Sequence, residues 1–138
     1  MAVSIQNSTK KCFNVIFTIK GEPASKANSR KLVMINKRIV PIKSQKALDY
    51  VKYFAEQIPT IDPLTEEYVK VEMMIYYKSR RPDLDESLIL DCMQNKVYYN
   101  DRQVKEKHIY WGLDKENPRT IIRVTEFNAS KIPDYLTI

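Results

Sequence analysis

A nine-residue apolar run near the middle of the chain, VKVEMMIYY at 69–77, is the sequence feature that most constrains the fold. Valine, isoleucine, methionine and tyrosine dominate this run, and β-branched and aromatic residues favour strands. A strand that is apolar almost without interruption is typical of the interior of a sheet. We therefore predict that residues 69–77 form a central strand, which the polar segment KSRRP then ends.

Shorter patterns on both sides of this strand predict the remaining elements. We predict strands at 13–19, 108–113 and 120–127, a hairpin at 31–43 that turns at Asn36-Lys37, a helix from Ser44 or Gln45 to Ile58, and a helix at 84–95. The order β, ββ, α, β, α, β, β predicts an α/β domain, with a single mixed β-sheet packed with two main helices.

The length of 138 residues is typical of one domain. We expect a single domain over residues 1–138, with loosely ordered tails at about 1–12 and 128–138. Cys12 and Cys92 lie far apart, and no CxxC or Cys/His cluster indicates zinc. We interpret both as reduced thiols of a cytosolic protein.

Two classes of partner are excluded at this stage. No apolar run reaches the length of a membrane span, and the N-terminus lacks the layout of a signal peptide, so we expect no membrane partner and a cytoplasmic location. Gly21 and Gly112 are the only glycines, which rules out a Gly-rich phosphate loop and a nucleotide cofactor bound in that way.

The basic residues are concentrated in the first part of the sequence. Residues 1–50 contain ten Lys/Arg and two acidic residues, whereas residues 51–138 contain thirteen Lys/Arg and fifteen acidic residues. A basic surface of this kind binds polyanions by neutralising their phosphates. It is also typical of the solvated lysine-rich surface of many small proteins, so charge alone does not decide for nucleic acid.

Two aspartates between the central strand and the second helix are candidate metal ligands. Asp83 and Asp85 are two apart, and in an extended segment such residues point the same way. Two carboxylates held together repel each other unless a hard cation such as Mg²⁺ lies between them. Asp101, in a loop after the helix, is the candidate third carboxylate, and Glu86 and Asp91 are auxiliary candidates. Mg²⁺ held in this way can activate water for phosphodiester cleavage.

Structural interpretations of the same residues remain open. Asp85 has the position of a helix N-cap, and Asp101 in an Asn-Asp pair has the position of a turn residue. Leu84, between the two aspartates, is expected to point into the core. Arg80 and Arg81 are candidates for bidentate contacts to phosphate, or they are an ordinary charged strand end.

Two motifs of the sequence resemble the RusA-type Holliday junction resolvases, a family often carried by phages and prophages. The first is RRPDLDESLILDCMQNKVYYNDRQV at 80–104, which is similar to the family's Asp-Leu-Asp helix start and its later hydrophobic-aromatic pair and acidic turn. The second is GEPASKANSR at 21–30, which resembles the family's Pro-x-Ser-Lys-x-Asn loop after the first strand. Together with the elements between them, the motifs cover about residues 20–127.

This resemblance implies a RusA-like homodimer that acts as a structure-selective endodeoxyribonuclease. It implies cleavage of Holliday junctions and other branched DNA, dependent on Mg²⁺ with Mn²⁺ substituting, in recombination, repair or phage DNA processing in a bacterial or phage-infected cell. Asp83, Asp85 and Asp101 match the family's catalytic and metal-binding carboxylates. The candidate DNA contacts are Ser25, Lys26, Asn28, Arg30, Lys31, Arg80, Arg81, Lys96, Arg102 and Lys105.

The chain departs from the family pattern at three positions. Glu86 stands where the family usually has Asn, Ile89 where it has Lys, and Asn100 where it has Asp. The missing lysine keeps open the alternative of a catalytically weak or inactive basic DNA-binding protein with the same fold. The candidates to replace its charge are Lys96, Arg102 and Lys105.

Aromatic residues are a second feature with two interpretations. Tyr98 and Tyr99 are candidates for stacking on unpaired bases at a junction. Packing in the core or in an interface is the commoner role of aromatic residues in such segments.

Overall fold

The computed structural model describes residues 12–25, 30–80 and 83–137. Six strands and two α-helices occur over this part of the chain, in the predicted order. The strands are β1 (Asn14–Lys20), β2 (Arg30–Ile35), β3 (Arg38–Lys43), β4 (Val69–Tyr77), β5 (Val104–Leu113) and β6 (Arg119–Glu126), and the helices are α1 (Gln45–Gln57) and α2 (Ser87–Met93). Short 3₁₀ turns occur at Asp101–Gln103, Ala129–Lys131 and Asp134–Leu136.

Four strands form a mixed sheet in the order β1-β6-β4-β5. β4 pairs in parallel with β5 and antiparallel with β6, which confirms that the apolar run is an inner strand. Its side chains alternate along β4: Val71, Met73 and Ile75 are buried, whereas the opposite face is half-buried. The α/β class, with a mixed sheet and two helices, is confirmed; the homodimer stays a prediction.

The predicted hairpin forms, but it lies outside the main sheet. β2 and β3 pair with each other in a separate two-stranded sheet, so the prediction of a single sheet needs this correction. The turn is formed by Asn36 and Lys37, which both have positive φ, at 50° and 64°. This backbone matches the twist of a tight hairpin. A local turn therefore brings β2 and β3 together, and neither strand is hydrogen-bonded to a strand of the four-stranded sheet.

Helix α1 begins and ends as predicted. The Ser44 hydroxyl accepts a hydrogen bond from the Ala47 backbone N–H at 3.2 Å, which caps the first turn. Tyr50 and Phe54 are buried on its inner face, and Phe54 meets Phe17 of β1 edge to face at 6.3 Å between ring centroids. This packing covers the buried face of the sheet.

Helix α2 is shorter than predicted, because residues 84–86 are not helical. The prediction that Leu84 points into the core is wrong: 40% of Leu84 is exposed, whereas Asp85 is 7% exposed. The backbone N–H of Asp85 donates to the Tyr77 hydroxyl at 3.3 Å, which turns Asp85 inward. The loop therefore presents its charged residue, and not its apolar one, to the protein interior.

Residues 128–137 contribute no buried side chain to this core, and the predicted tail at about 1–12 lies, except for Cys12, outside the described residues. In the described part of the chain, no helix is long and apolar enough to cross a membrane. Residues 128–137 are exposed and contain the last two 3₁₀ turns. Cys12 is exposed and Cys92 is buried, and both are free thiols as predicted. The single-domain assignment stays a prediction.

Candidate active site

Asp85 is a buried carboxylate that uses only one of its oxygens for local structure. Its Oδ1 accepts hydrogen bonds from the backbone N–H of Ser87 at 3.1 Å and from the Ser87 hydroxyl at 2.7 Å. These contacts fix the turn just before α2, but the N-cap position of the helix is Glu86, so the interpretation of Asp85 as the N-cap is wrong. No residue that the structure describes donates to Oδ2, and no described basic side chain forms an ion pair with Asp85. A buried charge without an ionic partner is costly, and a bound cation offsets that cost.

Asp101 lies at the start of the first 3₁₀ turn, but Asn100 performs the capping there. The Asn100 side chain accepts a hydrogen bond from the backbone N–H of Arg102 at 2.9 Å. The backbone N–H of Asp101 donates to the Gln94 side chain at 3.0 Å. Within the described residues, the Asp101 carboxylate accepts no hydrogen bond, so turn formation leaves both of its oxygens available.

Gln103 holds the turn that carries Asp101 against the preceding loop. Its Oε1 accepts from the backbone N–H of Tyr99 at 2.9 Å and of Asn100 at 3.0 Å. Its Nε2 donates to the backbone carbonyls of Thr65 at 3.0 Å and Glu67 at 2.9 Å. Both ends of one amide therefore fix the backbone just before Asp101. The Asn-x-x-Gln pattern of a capping box is the sequence signal that could have indicated this role.

Asp101 lines an open cleft of about 370 Å³ beside the start of β5. Lys107, on the same cleft, places its Nζ 2.5 Å from the Glu86 carboxylate, which directly follows Asp85. This ion pair connects the wall of the Asp101 cleft with residues 83–86, the acidic loop that contains Asp83, Asp85 and Glu86. The cleft is lined by Leu90, Asp101, Arg102, Val104, Lys105, Glu106 and Lys107.

Sequence reasoning missed Lys107 as a site residue. Lys105 and Lys107 are two positions apart in β5, which places them on the same side of the strand. Nothing in the local sequence indicates that β5 lies beside the acidic loop. That proximity depends on the parallel pairing of β5 with β4, which is a long-range contact. Ile89, where the family lysine is expected, is fully buried in this chain.

The predicted carboxylates are not assembled into one metal site. Over residues 12–25, 30–80 and 83–137, no group of three or more Asp, Glu, His or Cys side chains is close enough to hold a metal ion. Asp83 is half-buried in the same loop as Asp85, and Asp101 is in the cleft. Asp91 lines a different, small pocket together with Arg30 and Lys43. The chemistry of a buried carboxylate with one unused oxygen fits Mg²⁺, whereas a closed three-carboxylate cluster is not seen.

The candidate DNA contacts occupy several different surfaces. Arg30 and Lys31 are exposed on β2, and Arg80 is exposed after β4. Ser25, by contrast, is 5% exposed. Three further candidates are also exposed: Lys96 after α2, Arg102 beside Asn100, and Lys105, whose Nζ lies 4.9 Å from the Tyr68 ring centroid. The predictions for Lys26, Asn28 and Arg81 lie outside the described residues.

Tyr98 is part of the core and is not available for stacking on DNA. It is fully buried, and its hydroxyl donates to the carbonyl of Leu90 at 2.8 Å. Burial raises the pKa of Tyr98, and the nearby negative charges of Asp101 and Asp91 raise it further. Tyr99 is 50% exposed and remains the candidate for base stacking.

An α/β domain that combines acidic side chains after its inner strand with exposed basic side chains has the features of a nuclease. The family model described as endodeoxyribonuclease RusA matches residues 20–125. This match covers most of the chain and contains Asp83, Asp85 and Asp101. The chain belongs to the RusA endodeoxyribonuclease family, which confirms the resemblance. A comparison with curated proteins found no match.

Proposed function

We propose that this protein is a Mg²⁺-dependent endodeoxyribonuclease that resolves Holliday junctions and cuts other branched DNA in recombination, repair or phage DNA processing. The observation that carries the proposal is the state of Asp85. Its carboxylate is buried at the end of the loop after β4, and it has one unused oxygen and no ionic partner among the described residues. A protein that only binds DNA has no reason to bury negative charge beside phosphates.

Three carboxylates are proposed to hold the metal. Asp83 and Asp85, in the loop after β4, and Asp101, in the cleft, would be its ligands. When bound, Mg²⁺ supplies Lewis-acid stabilisation of the charge on the scissile phosphate, and Mn²⁺ is expected to substitute. Gln103 and Asn100 are positioning residues, because they fix the backbone of the Asp101 turn and do not line the cleft.

Lys107 is proposed to supply the cation that position 89 lacks. Ile89 is buried among apolar residues, so in this chain that position packs the core. Lys107 is about half exposed in the cleft wall and is already paired with Glu86. An ammonium group in this place can contact a phosphate oxygen while Glu86 holds its orientation.

The test is cleavage of a labelled synthetic four-way junction, with and without Mg²⁺, by the wild-type protein and by Asp85→Asn. Paired nicks that require Mg²⁺ are expected for the wild type and are expected to vanish in the variant, while junction binding persists. Asp134→Asn, an exposed carboxylate far along the chain, is the matched control and is expected to cleave like the wild type. Equal cleavage of a linear duplex would contradict selectivity for branched DNA.

Metal binding gives a second readout that does not depend on activity. Mg²⁺ is expected to raise the Tm of the wild type by linkage, and to raise the Tm of Asp85→Asn less. An equal rise in both proteins would contradict the assignment of Asp85 as a ligand.

Paired nicks also require two active sites. We propose that the protein acts as a two-fold homodimer, as expected for symmetric cleavage of a symmetric junction. Sedimentation analysis of the free protein and of its junction complex measures this directly. One chain per junction in the cleavage-competent complex would contradict the dimer.

A basic DNA-binding protein with the same fold is the second candidate. Ile89 favours it, since an isoleucine in place of the family lysine removes a positive charge from helix α2, just after the loop that carries Asp85. Junction binding without cleavage in Mg²⁺ or Mn²⁺, equal in wild type and Asp85→Asn, would establish this candidate.

A further inference from the structure

The β2–β3 hairpin has one face that the rest of the described protein leaves uncovered. In the pairing register, Leu32 lies opposite Pro41 and Met34 lies opposite Ile39, so these four side chains share one face. Leu32, Met34 and Ile39 are 70%, 67% and 66% exposed, and Pro41 is also exposed. A contiguous exposed apolar patch on a small protein marks an interaction site.

The opposite face of the hairpin is less exposed. Val33, Val40 and Ile42 are half-buried on this side. The apolar patch therefore lies on the more exposed of the two faces. With six residues in each strand, the hairpin extends roughly 20 Å from its base to its turn.

The charge of the hairpin selects the partner. Residues 30–43 contain five basic residues and no acidic residue. Arg30 and Lys43 lie opposite each other at the base, and Lys37 and Arg38 lie at the turn and just after it. A second copy of the same face would bring like charges together across a two-fold axis, which is unfavourable. A polyanion that also offers apolar surface satisfies both the basic and the apolar side chains.

The base of the hairpin lies next to the candidate active site. Arg30 and Lys43 line a small pocket together with Ser87, whose backbone and hydroxyl bond Asp85. A strand of DNA bound along the hairpin therefore passes close to the acidic loop. Nucleic acids with unstacked bases supply the required chemistry, because their bases accept apolar side chains while their phosphates bind basic ones.

We propose that the β2–β3 hairpin is a DNA-binding ribbon: its basic side chains contact phosphates, and its apolar face packs against unstacked bases at the branch point. The proposal rests on the proposed function, since it takes branched DNA as the ligand. It adds Lys37, Arg38 and Lys43 as phosphate contacts, and Leu32, Met34, Ile39 and Pro41 as the surface that meets bases.

The test measures binding separately from cleavage. Binding to a four-way junction that carries 2-aminopurine beside the branch point is measured in EDTA, with Asp85→Asn as the parent protein. Fluorescence of 2-aminopurine reports unstacking, and a salt titration reports the number of phosphate contacts. Thermal unfolding of each variant checks that the exposed substitutions leave the fold intact.

The two halves of the proposal have different variants. Lys37→Glu with Arg38→Glu is expected to weaken junction binding at least about tenfold at 100 mM salt and to lower the salt slope by about 2. Its matched control is Lys115→Glu with Lys131→Glu, which reverses two exposed charges outside the hairpin.

Leu32→Ser with Met34→Ser is expected to keep the salt slope and to lose most of the 2-aminopurine signal. Its matched control is Tyr135→Ser with Leu136→Ser, which removes two exposed apolar side chains near the C-terminus.

Two results would overturn the ribbon. In one, both hairpin variants bind and unstack the junction as their controls do. In the other, Leu32→Ser with Met34→Ser changes the sedimentation mass of the free protein and leaves the 2-aminopurine signal intact, which assigns the apolar face to a second copy. Failure of the proposed function is seen elsewhere, as absent cleavage by the wild-type protein in Mg²⁺, so the two failures are distinguishable.

Discussion

Replacing Gln103 with alanine is the substitution that most directly tests how the structure positions Asp101. The side chain of Gln103 makes four hydrogen bonds to backbone groups, on Tyr99, Asn100, Thr65 and Glu67. The bonds to Asn100 and Thr65 are partly buried, whereas water can replace the two exposed ones. At about 1 kcal/mol for each partly buried bond, Gln103→Ala is expected to lower the free energy of unfolding by about 2 kcal/mol.

The same substitution is expected to slow junction cleavage even when all of the variant protein is folded. Urea denaturation measures the free energy of unfolding, and cleavage is then measured at a temperature at which the variant is folded. Gln57→Ala is the matched control, because Gln57 also bridges backbone groups, of Lys20 and Tyr53, but only through exposed bonds. That control is expected to lose less than about 1 kcal/mol and no cleavage rate. A Gln103→Ala protein with wild-type stability and rate would refute the positioning role.

The remaining predictions concern Lys107 and the two cysteines. Lys107→Met is expected to lower the free energy of unfolding by less than about 1 kcal/mol, since the pair of Lys107 with Glu86 is partly exposed, and to slow junction cleavage at least about tenfold. Lys115→Met, the control, is expected to change neither quantity. A cleavage rate of Lys107→Met equal to that of the wild type would exclude Lys107 from the reaction. At pH 8 a thiol reagent is expected to modify the exposed Cys12 and not Cys92, because burial and the charge of Asp91 raise the pKa of the Cys92 thiol to about 12. Mass spectrometry of the labelled native protein measures the number of labels, and two labels would contradict this prediction. The unfolded chain releases the Cys92 thiol proton near pH 9, whereas the folded chain retains it to about pH 12. Between these pH values the free energy of unfolding is therefore expected to fall by up to about 1.4 kcal/mol per pH unit. Denaturation at pH 9 to 11 is expected to show a shallower fall for Cys92→Ala than for the wild type.

Local patterns in the sequence predicted the order of the elements and most of their bounds, although α2 is shorter than predicted. The hairpin turn was predicted at Asn36-Lys37, where both residues adopt positive φ, and the start of α1 was predicted at Ser44 or Gln45, where the Ser44 hydroxyl caps the helix. The placement of the hairpin outside the main sheet was not predictable in the same way. Strand order depends on long-range pairing, and nothing in β2 or β3 indicates that β6 and not the hairpin lies beside β4.

The residues of the candidate site also differ in whether local sequence or long-range pairing indicates them. Asp83, Asp85 and Asp101 are found from short motifs, because each belongs to a loop that the sequence marks by its own turn residues. Lys107 belongs to the site through the parallel pairing of β5 with β4, and its contact with Glu86 crosses twenty-one positions of sequence. Alternation also misled at Leu84, since the Tyr77 hydroxyl from the end of β4 turns Asp85 inward instead.

The departures at positions 100 and 89 have different consequences in the structure. Asn100 accepts hydrogen bonds from the backbone N–H of Arg102 at 2.9 Å and from its guanidinium at 3.4 Å, and an aspartate could accept the same bonds; the change from Asp to Asn therefore keeps the turn and removes one negative charge beside Asp101. Ile89 is different, because it is fully buried and contributes to the core rather than to the cleft. A lysine at this position would have to leave the core or bury its charge, which is costly. Lys107 instead brings a positive charge to this loop through its ion pair with Glu86, which is why activity is expected to depend on Lys107 more than on the exposed lysines elsewhere.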